Sequence, residues 1–456
     1  MRRLLVPLFL LLGACLPVTQ SETASRAAFE DSSLPPMKVF SVPRPQPVQA
    51  SNADLVRDFM ELSMALESGR ALDSFTRFEG PITVRLLGDV PASVPSDLDQ
   101  LLHRLRREAG IDIGITTSAT ASITINAVTR AQIRRFLPQA ACFVVPNVST
   151  LSDYRRARRS NRVNWSKIDS RTRLAIFLPN DASPQEARDC LHEELAQALG
   201  PLNDLYRLPN SVFNDDNVHA ILTGHDMLIL RAYYDPALRN GLSRSEVMDH
   251  IPEIFARLNP QGESLPPRRP ARTPRPWIEA IQTAFGPGAS PGARRAAVTD
   301  ALSIASAMGW QDHRRGFTHY AMGRIYQGSD PAKARSQFLL ADKYFSRTPQ
   351  AELHRAFVAS QLAAFALTEN RPDEAIALTG MSIDLAARHE NAALLATLLM
   401  LRAEALDLGG RASAGTDVRL DSLGWARYGF GSDWSVRAKL REIGALNPLN
   451  RARGNL

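Results

Sequence analysis

Hydrophobic and polar positions along this 456-residue chain divide it into stretches of different period. Residues 16 to about 55, ending in SLPPMKVFSVPRPQPVQASN, are polar and proline-rich with little periodic apolar pattern, which predicts an extended tether. From about 56, apolar residues take helical spacing in DLVRDFMELSMALESGRAL. PITVRLLG (81–88) alternates like a strand, and PSDLDQLLHRLRREAG (95–110) reads as an amphipathic helix closed by glycine. IDIGIT (111–116), SITINAV (122–128), CFVVP (142–146) and RLAIFLP (173–179) predict four more short strands. SPQEARDCLHEELAQALG then predicts a helix with Ser183 as N-cap, Pro184 at the first helical position, Glu186 three residues on and Gly200 as the stop. Together these elements predict an α+β region over 56–258.

The pattern changes at 259–276. QGESLPPRRPARTPRP (261–276) carries five prolines and four arginines, which predicts a linker crossed by few contacts. Beyond it, 277–446 reads as helix, with 447–456 as a tail. Residues 319–345, 358–385 and 398–424 form three helix-turn-helix units about forty residues apart. Small residues (Gly323, Ala334, Ala341, Ala363, Ala375, Ala403) stand where helices must approach closely. The pattern resembles tetratricopeptide (TPR)-type repeats, although the period exceeds the usual 34 and the signature is incomplete. Such units should stack into a small solenoid.

A composition of 44% hydrophobic and 22% charged residues suits a globular protein of two or three domains. The formal charge of +7 includes Arg2 and Arg3, so a chain cut after them carries +5. The opening MRRLLVPLFLLLGAC is too short an apolar run for a permanent membrane span and predicts a signal segment over 1–15. Leu12-Gly13-Ala14-Cys15 resembles the lipobox of bacterial lipoproteins. That resemblance implies acylation of Cys15, export, and a lipid anchor at the periplasmic face of the envelope. Leu16, not being aspartate, favours the outer membrane. Cys142 and Cys190 remain; in an oxidising compartment they predict one disulfide, the alternative being two buried thiols. YRRARRSNRVNWSK (154–167) holds six cationic residues, but in an exported chain a solvated loop outranks nucleic acid, with anionic lipid or glycan second.

The stretch CLHEELAQALGPLND (190–204) opens like the zinc motif H-E-x-x-H, yet the fifth position is Ala196. Anchoring the extended motif H-E-x-x-H-x-x-G-x-x-H on Gly200 makes Glu193 the first ligand position and Glu194 the general-base position. Gln197 and Asn203 then stand at the other ligand positions, followed by Asp204. On a helix Glu193, Gln197 and Gly200 share one face, while Leu191, Leu195, Ala198 and Leu202 form the core face. His192 falls to the side, as a surface or half-buried residue.

Downstream, SVF (211–213) stands where a metzincin's Ser-x-Met turn would, with Phe213 in the methionine position. LTGHDMLILRAYYD (222–235) resembles the L-T-x-x-D…L-x-x-L-Y helix of matrixin-like domains, and Thr223 with Asp226 makes sense as a helix cap. The combination of C-x-x-E-E-x-x-Q-x-L-G-x-x-N-D, S-x-F-N-D and L-T-x-x-D…Y-D-P is similar to a bacterial family of exported proteins of unknown function. The resemblance covers about residues 75–255 and implies a degenerate metzincin-like fold with no established activity.

Only Glu193 among the ligand positions is a strong ligand; carboxamides replace two imidazoles that zinc needs. Asp204, Asp215 and Asp216 could add carboxylates, but a solvated acidic loop outranks a cation site, so neither metal nor cofactor is expected. Glu194 keeps its position with no metal-bound water to activate. Glu193 and Glu194 diverge by about 100° and cannot flank a scissile bond as a glycosidase pair. Ser211 has no visible base. The expectation is a non-catalytic envelope lipoprotein binding an envelope protein or peptide in its cleft or on the repeats. The rivals are a metal-dependent peptidase using Glu194 with atypical ligands, and a spacer whose cleft is filled by side chains.

Overall fold

The structure is a computed structural model that describes residues 34–41 and 47–452. The predicted signal segment and Cys15 lie outside the described residues.

Helix α1 (Asn52–Ser63) starts where the Ser51 side chain accepts the Asp54 N–H. Then come β1 (Ile82–Gly88), α2 (Val94–Glu108), β2 (Ile113–Ile115), β3 (Ile123–Val128), α3 (Arg130–Arg134), β4 (Phe143–Pro146), α4 (Leu151–Ala157) and β5 (Leu174–Pro179). All five predicted strands are present to within two residues. They form one sheet in the order β2-β1-β3-β5-β4, with β4 antiparallel and the rest parallel. Strand β5 is buried at every position because both sheet faces are covered, which explains its unbroken apolar run. Helix α2 and α5 (Pro184–Leu199) contribute Leu98, Leu102, Leu191 and Leu195 to the core on one face. Ile133, Phe143, Val145 and Phe177 pack with Tyr154 on the other. Helices α6 (Gly224–Tyr233) and α7 (Arg244–Leu258) complete this region.

The second region is all helix. The hairpins are α8 (Arg275–Phe285) with α9 (Pro291–Ala307), α10 (His313–Tyr326) with α11 (Pro331–Phe345), α12 (Glu352–Thr368) with α13 (Pro372–Arg388), and α14 (Ala392–Leu408) with α15 (Ala412–Phe430). Helices α16 (Asp433–Gly444) and α17 (Pro448–Ala452) follow. Three of the hairpins are the predicted units; the first, α8–α9, precedes them and lacked a recognised repeat pattern. Gly323 shows why small residues matter here, since a Cβ on it would lie 2.6 Å from the Phe338 ring. Among the described residues no helix is long and apolar enough to cross a membrane.

Two expectations are corrected. The 261–276 segment is crossed by many contacts, and the chain from Leu34 onward forms one compact unit. Asp54 accepts the backbone N–H groups of Arg268 (2.8 Å) and Arg269 (3.2 Å), and Arg314 donates to the Ala271 carbonyl at 2.7 Å. His354 Nε2 lies 2.8 Å from Asp216, His313 Nε2 lies 2.7 Å from the Tyr206 carbonyl, and buried Arg188 pairs with buried Glu390. Composition could not reveal this, because each link joins polar groups far apart in sequence.

Part of the predicted tether is also docked rather than free. Residues 34–41 lie along α15: Lys38 N–H donates to the Gly424 carbonyl at 3.0 Å, and Phe40 stacks on Trp425 at 4.6 Å between centroids. Gly424 lets the strap approach, since a Cβ there would meet Lys38 Cγ at 2.7 Å.

Candidate ligand-binding cleft

Helix α5 is the scaffold of the site. Ser183 accepts the Glu186 N–H at 3.2 Å as predicted, but the Glu186 carboxylate turns to Arg130 rather than closing a capping box. Leu191, Leu195, Ala198 and Leu202 are buried, as the helical spacing requires. Gly200 ends the helix through close approach rather than left-handed backbone: a Cβ would lie 2.9 Å from the Tyr233 ring. The last carbonyls are held by a residue that the sequence did not flag. Arg171 is buried and donates to the carbonyls of Gln197 (2.7 Å), Ala198 (2.9 Å) and Gly200 (2.5 Å), with its guanidinium over the Trp165 ring. A cation there completes orphan acceptors at the negative end of the helix.

His192 is not half-exposed but buried. Its Nδ1 accepts the Leu222 N–H at 3.1 Å, and burial depresses its pKa well below the ordinary value. It is a neutral strut between α5 and the approach to α6.

Gln185, Asp189, Glu193 and Gln197 recur every four residues and form one polar stripe along α5. That spacing was legible in sequence, yet only its second half was recognised. Glu193 is half-buried; Glu194 and Gln197 are buried. Burial, with repulsion from Asp215 and Glu67, pushes the Glu193 carboxyl up to about 7. Burial first, then Glu193 and Glu67, holds Glu194 well above the usual carboxylate range, and Asp204 is raised by the same causes. The Gln197 side chain faces the Glu67 carboxylate. Glu67 and Asp189 had not been predicted; Glu67 lies well outside any motif, in the loop after α1.

Asn203, at the third ligand position, donates instead to the Glu61 carbonyl at 2.9 Å. Asp215 accepts the Tyr206 hydroxyl at 3.0 Å, whereas Asp216 is tied to His354 and Asn214. Among the described residues no three His, Cys, Asp or Glu side chains gather tightly enough to hold a metal ion. Phe213 is fully buried in the core. Ser211 donates its hydroxyl to Asp226, which also accepts the N–H groups of Val212 (3.1 Å) and Thr223 (2.8 Å). Thr223 and Asp226 form the predicted capping box on α6. Asp226 therefore fixes the 211–213 turn, and Ser211 is spoken for. His225 lies between Asp58 and Asp226, 3.6 Å from each, and His219 contacts the Pro209 carbonyl at 3.1 Å.

The α5 stripe opens onto a cavity of about 420 Å³ whose far wall belongs to the repeats. Gln185, Asp189 and Glu193 face Tyr320 of α10, Gln361 of α12 and Thr397 of α14. A second cavity of about 850 Å³ runs from Asp215 to Phe285 of α8. Both cavities are lined by Asn217, Tyr320, Arg324 and Phe357, so they are adjoining parts of one cleft. The disulfide links Cys142, just before β4, to Cys190 in α5, with Cα atoms 6.0 Å apart. In the basic stretch the arginines are exposed, while Tyr154 packs on Phe143 and Trp165 lies under Arg171. Its aromatics are occupied in packing.

The raised carboxyls have a consequence for stability. Glu193 holds its proton more tightly when folded, so its contribution is present below about pH 4.5 and lost as pH rises through about 7. Glu193→Gln should therefore raise stability by about 3 kcal/mol at pH 8 and change little near pH 4.5, read as melting temperature against pH. A variant no more stable than the parent at pH 8 would refute the strained acidic wall.

No curated protein and no solved structure matches the chain. Residues 52–253, from the first residue of α1 into α7 and including the sheet, α5 and the acidic wall, match the model of a family described as Protein of unknown function (DUF2927).

Proposed function

We propose that the protein is a non-catalytic, exported lipoprotein of the cell envelope in which a degenerate metzincin-like region and TPR-like repeats jointly hold an extended protein or peptide segment. The observation that carries this reading is the cleft itself: the polar stripe of α5 faces open space walled by α8, α10, α12 and α14. A spacer would fill that space with side chains. A cleft built at the meeting of two regions is where ligand sites concentrate, and stacked helical hairpins commonly offer extended binding surfaces. Support for the metzincin-like part comes from the sheet with one antiparallel strand, followed by α5 carrying E-E-x-x-Q-x-x-G-x-x-N. Support for a lack of catalysis comes from Asn203 being committed to Glu61 and Ser211 to Asp226.

The test is a photo-crosslinking amino acid placed at Gln361 inside the cleft, or at exposed Met381 on α13, in cells. A discrete protein adduct from position 361 and none from 381 is expected. Adducts equal at both positions, or absent from 361, would remove the cleft as the binding surface.

A further inference from the structure

The chain carries a net positive charge, yet one wall of its cleft is acidic. Asp189 and Glu193 on α5 line the first cavity and Asp215 lines the second. Glu194 and Asp204 stand close enough behind them to raise one another's pKa. Among the described residues none of Glu193, Glu194, Asp204 and Asp215 makes an ion pair, whereas buried carboxylates elsewhere do, as Asp58 does with Arg207 and Glu390 with Arg188.

Glu194 is the second, independent observation. Its side chain is only 5% exposed, its Oε2 has no hydrogen-bond donor, and the charges that act on it are the carboxylates of Glu193 and Glu67. A buried carboxylate oxygen without a donor is costly and uncommon in a finished structure. Asp204 Oδ1 and Asp189 Oδ1 share the condition. Of these residues Asp189 lines the first cavity itself, with Glu194 and Asp204 behind, so the wall calls for a ligand that brings donors and positive charge.

The spacing narrows the kind of cation. These groups do not gather tightly enough for a metal ion, yet they lie close enough to raise one another's pKa. An elongated cation on a flexible stem suits such a wall better than a compact ion, because its several N–H donors can reach separate carboxylates. Across the cleft, Tyr320 and Phe357 offer rings to the apolar stem or to the cation's flank. Of the basic groups on that side, Lys439 is paired with Glu442, and Arg324 donates to the Tyr320 hydroxyl. Among the described residues neither makes an ion pair with the acidic wall, although both line the first cavity.

We propose that the cleft selects a cationic side chain, a lysine or arginine of an extended peptide, which seats against Asp189, Glu193 and Asp215. This rests on the reading of the cleft as a peptide site and gives that site its chemistry. Seating the cation supplies donors to the orphan oxygens and favours the ionised carboxylates. Binding therefore displaces protons from Glu193 and its neighbours Glu67, Asp189, Glu194, Asp204 and Asp215; the other charged or titratable groups acting there are Arg188 beside Asp189, Arg275 beside Glu67, Tyr206 on Asp215, and His219 on that wall of the first cavity.

The experiment uses the full mature chain on an array of random twelve-residue peptides. The bound set should be enriched in lysine and arginine, and the enrichment should vanish in Glu193→Gln/Asp215→Asn. Because removing these charges relieves repulsion, the variant's melting temperature should not fall, which separates lost selectivity from lost fold. For the best binder, lysine→norleucine should weaken binding about tenfold at pH 8 and by less at pH 6, following the charge on Glu193. Peptides bound without basic enrichment, or enrichment unchanged in the variant, would overturn the cationic pocket while leaving the peptide cleft standing. No peptide bound at either pH would overturn both.

Discussion

Replacing Glu390 with alanine is expected to destabilise the protein by about 3–5 kcal/mol, the range for stranding one member of a buried ion pair. Glu390 lies in the turn between α13 and α14 and pairs with Arg188 on α5; both side chains are about 95% buried. Burial holds the Glu390 carboxyl above its usual range in spite of Arg188, so at this carboxyl desolvation outweighs the attraction. The pair therefore adds little net stability but is expensive to break. Arg188→Met/Glu390→Ala should recover most of the loss, since neither charge is then stranded. Denaturant titration of the single and double variants reads both outcomes. A single variant within about 0.5 kcal/mol of the parent would show that the two regions do not share this contact in solution, 0.5 kcal/mol being the ordinary range of surface changes. Because Arg188 also faces Phe40 of the N-terminal strap, the strap, α5 and the repeats meet at this one guanidinium.

Removing the disulfide should have an effect of similar size. Cys142 and Cys190 are 48 residues apart, and closing a loop of that length restricts the unfolded chain by about 4 kcal/mol in the chain-entropy model. Cys142→Ser/Cys190→Ser should lower stability by that order, seen as a lower denaturant midpoint with an unchanged or greater slope. The bridge fastens the antiparallel strand β4 to α5 one turn before Glu193, so it also steadies the acidic wall. A double variant as stable as the parent, or two free thiols in the unreduced protein, would contradict the bridge.

Local periodicity carried most of the secondary structure. A strand such as β5 is an unbroken apolar run because both faces are covered, and α5 announces itself through Ser183, Pro184 and a regular apolar stripe. These signals depend on neighbours within a few residues, so a single sequence displays them. The disulfide was legible for a different reason: with Cys15 set aside on the expectation of a lipobox, only one pairing of cysteines remained.

What sequence alone left undecided involves partners distant in the chain. Arg171 caps α5 from 26 to 29 residues away, and nothing around it marks it as a cap. His192 is at a helix position that periodicity places on the flank, but the 222 segment folds over it and takes its lone pair. Glu67 joins the acidic wall from a loop with no motif. The proline–arginine segment looked like a hinge because composition reports stiffness and polarity, whereas Asp54 binding its backbone is a tertiary fact. Periodicity and spacing thus determined the strands, the helices and the E-E-x-x-Q face, since these follow from geometry within one element. Only the tertiary structure decided that both regions close on one cleft and that, among the described residues, Glu193, Glu194, Asp204 and Asp215 on its acidic side make no ion pair. Burial and charge pairing are set by whichever groups the whole chain brings together.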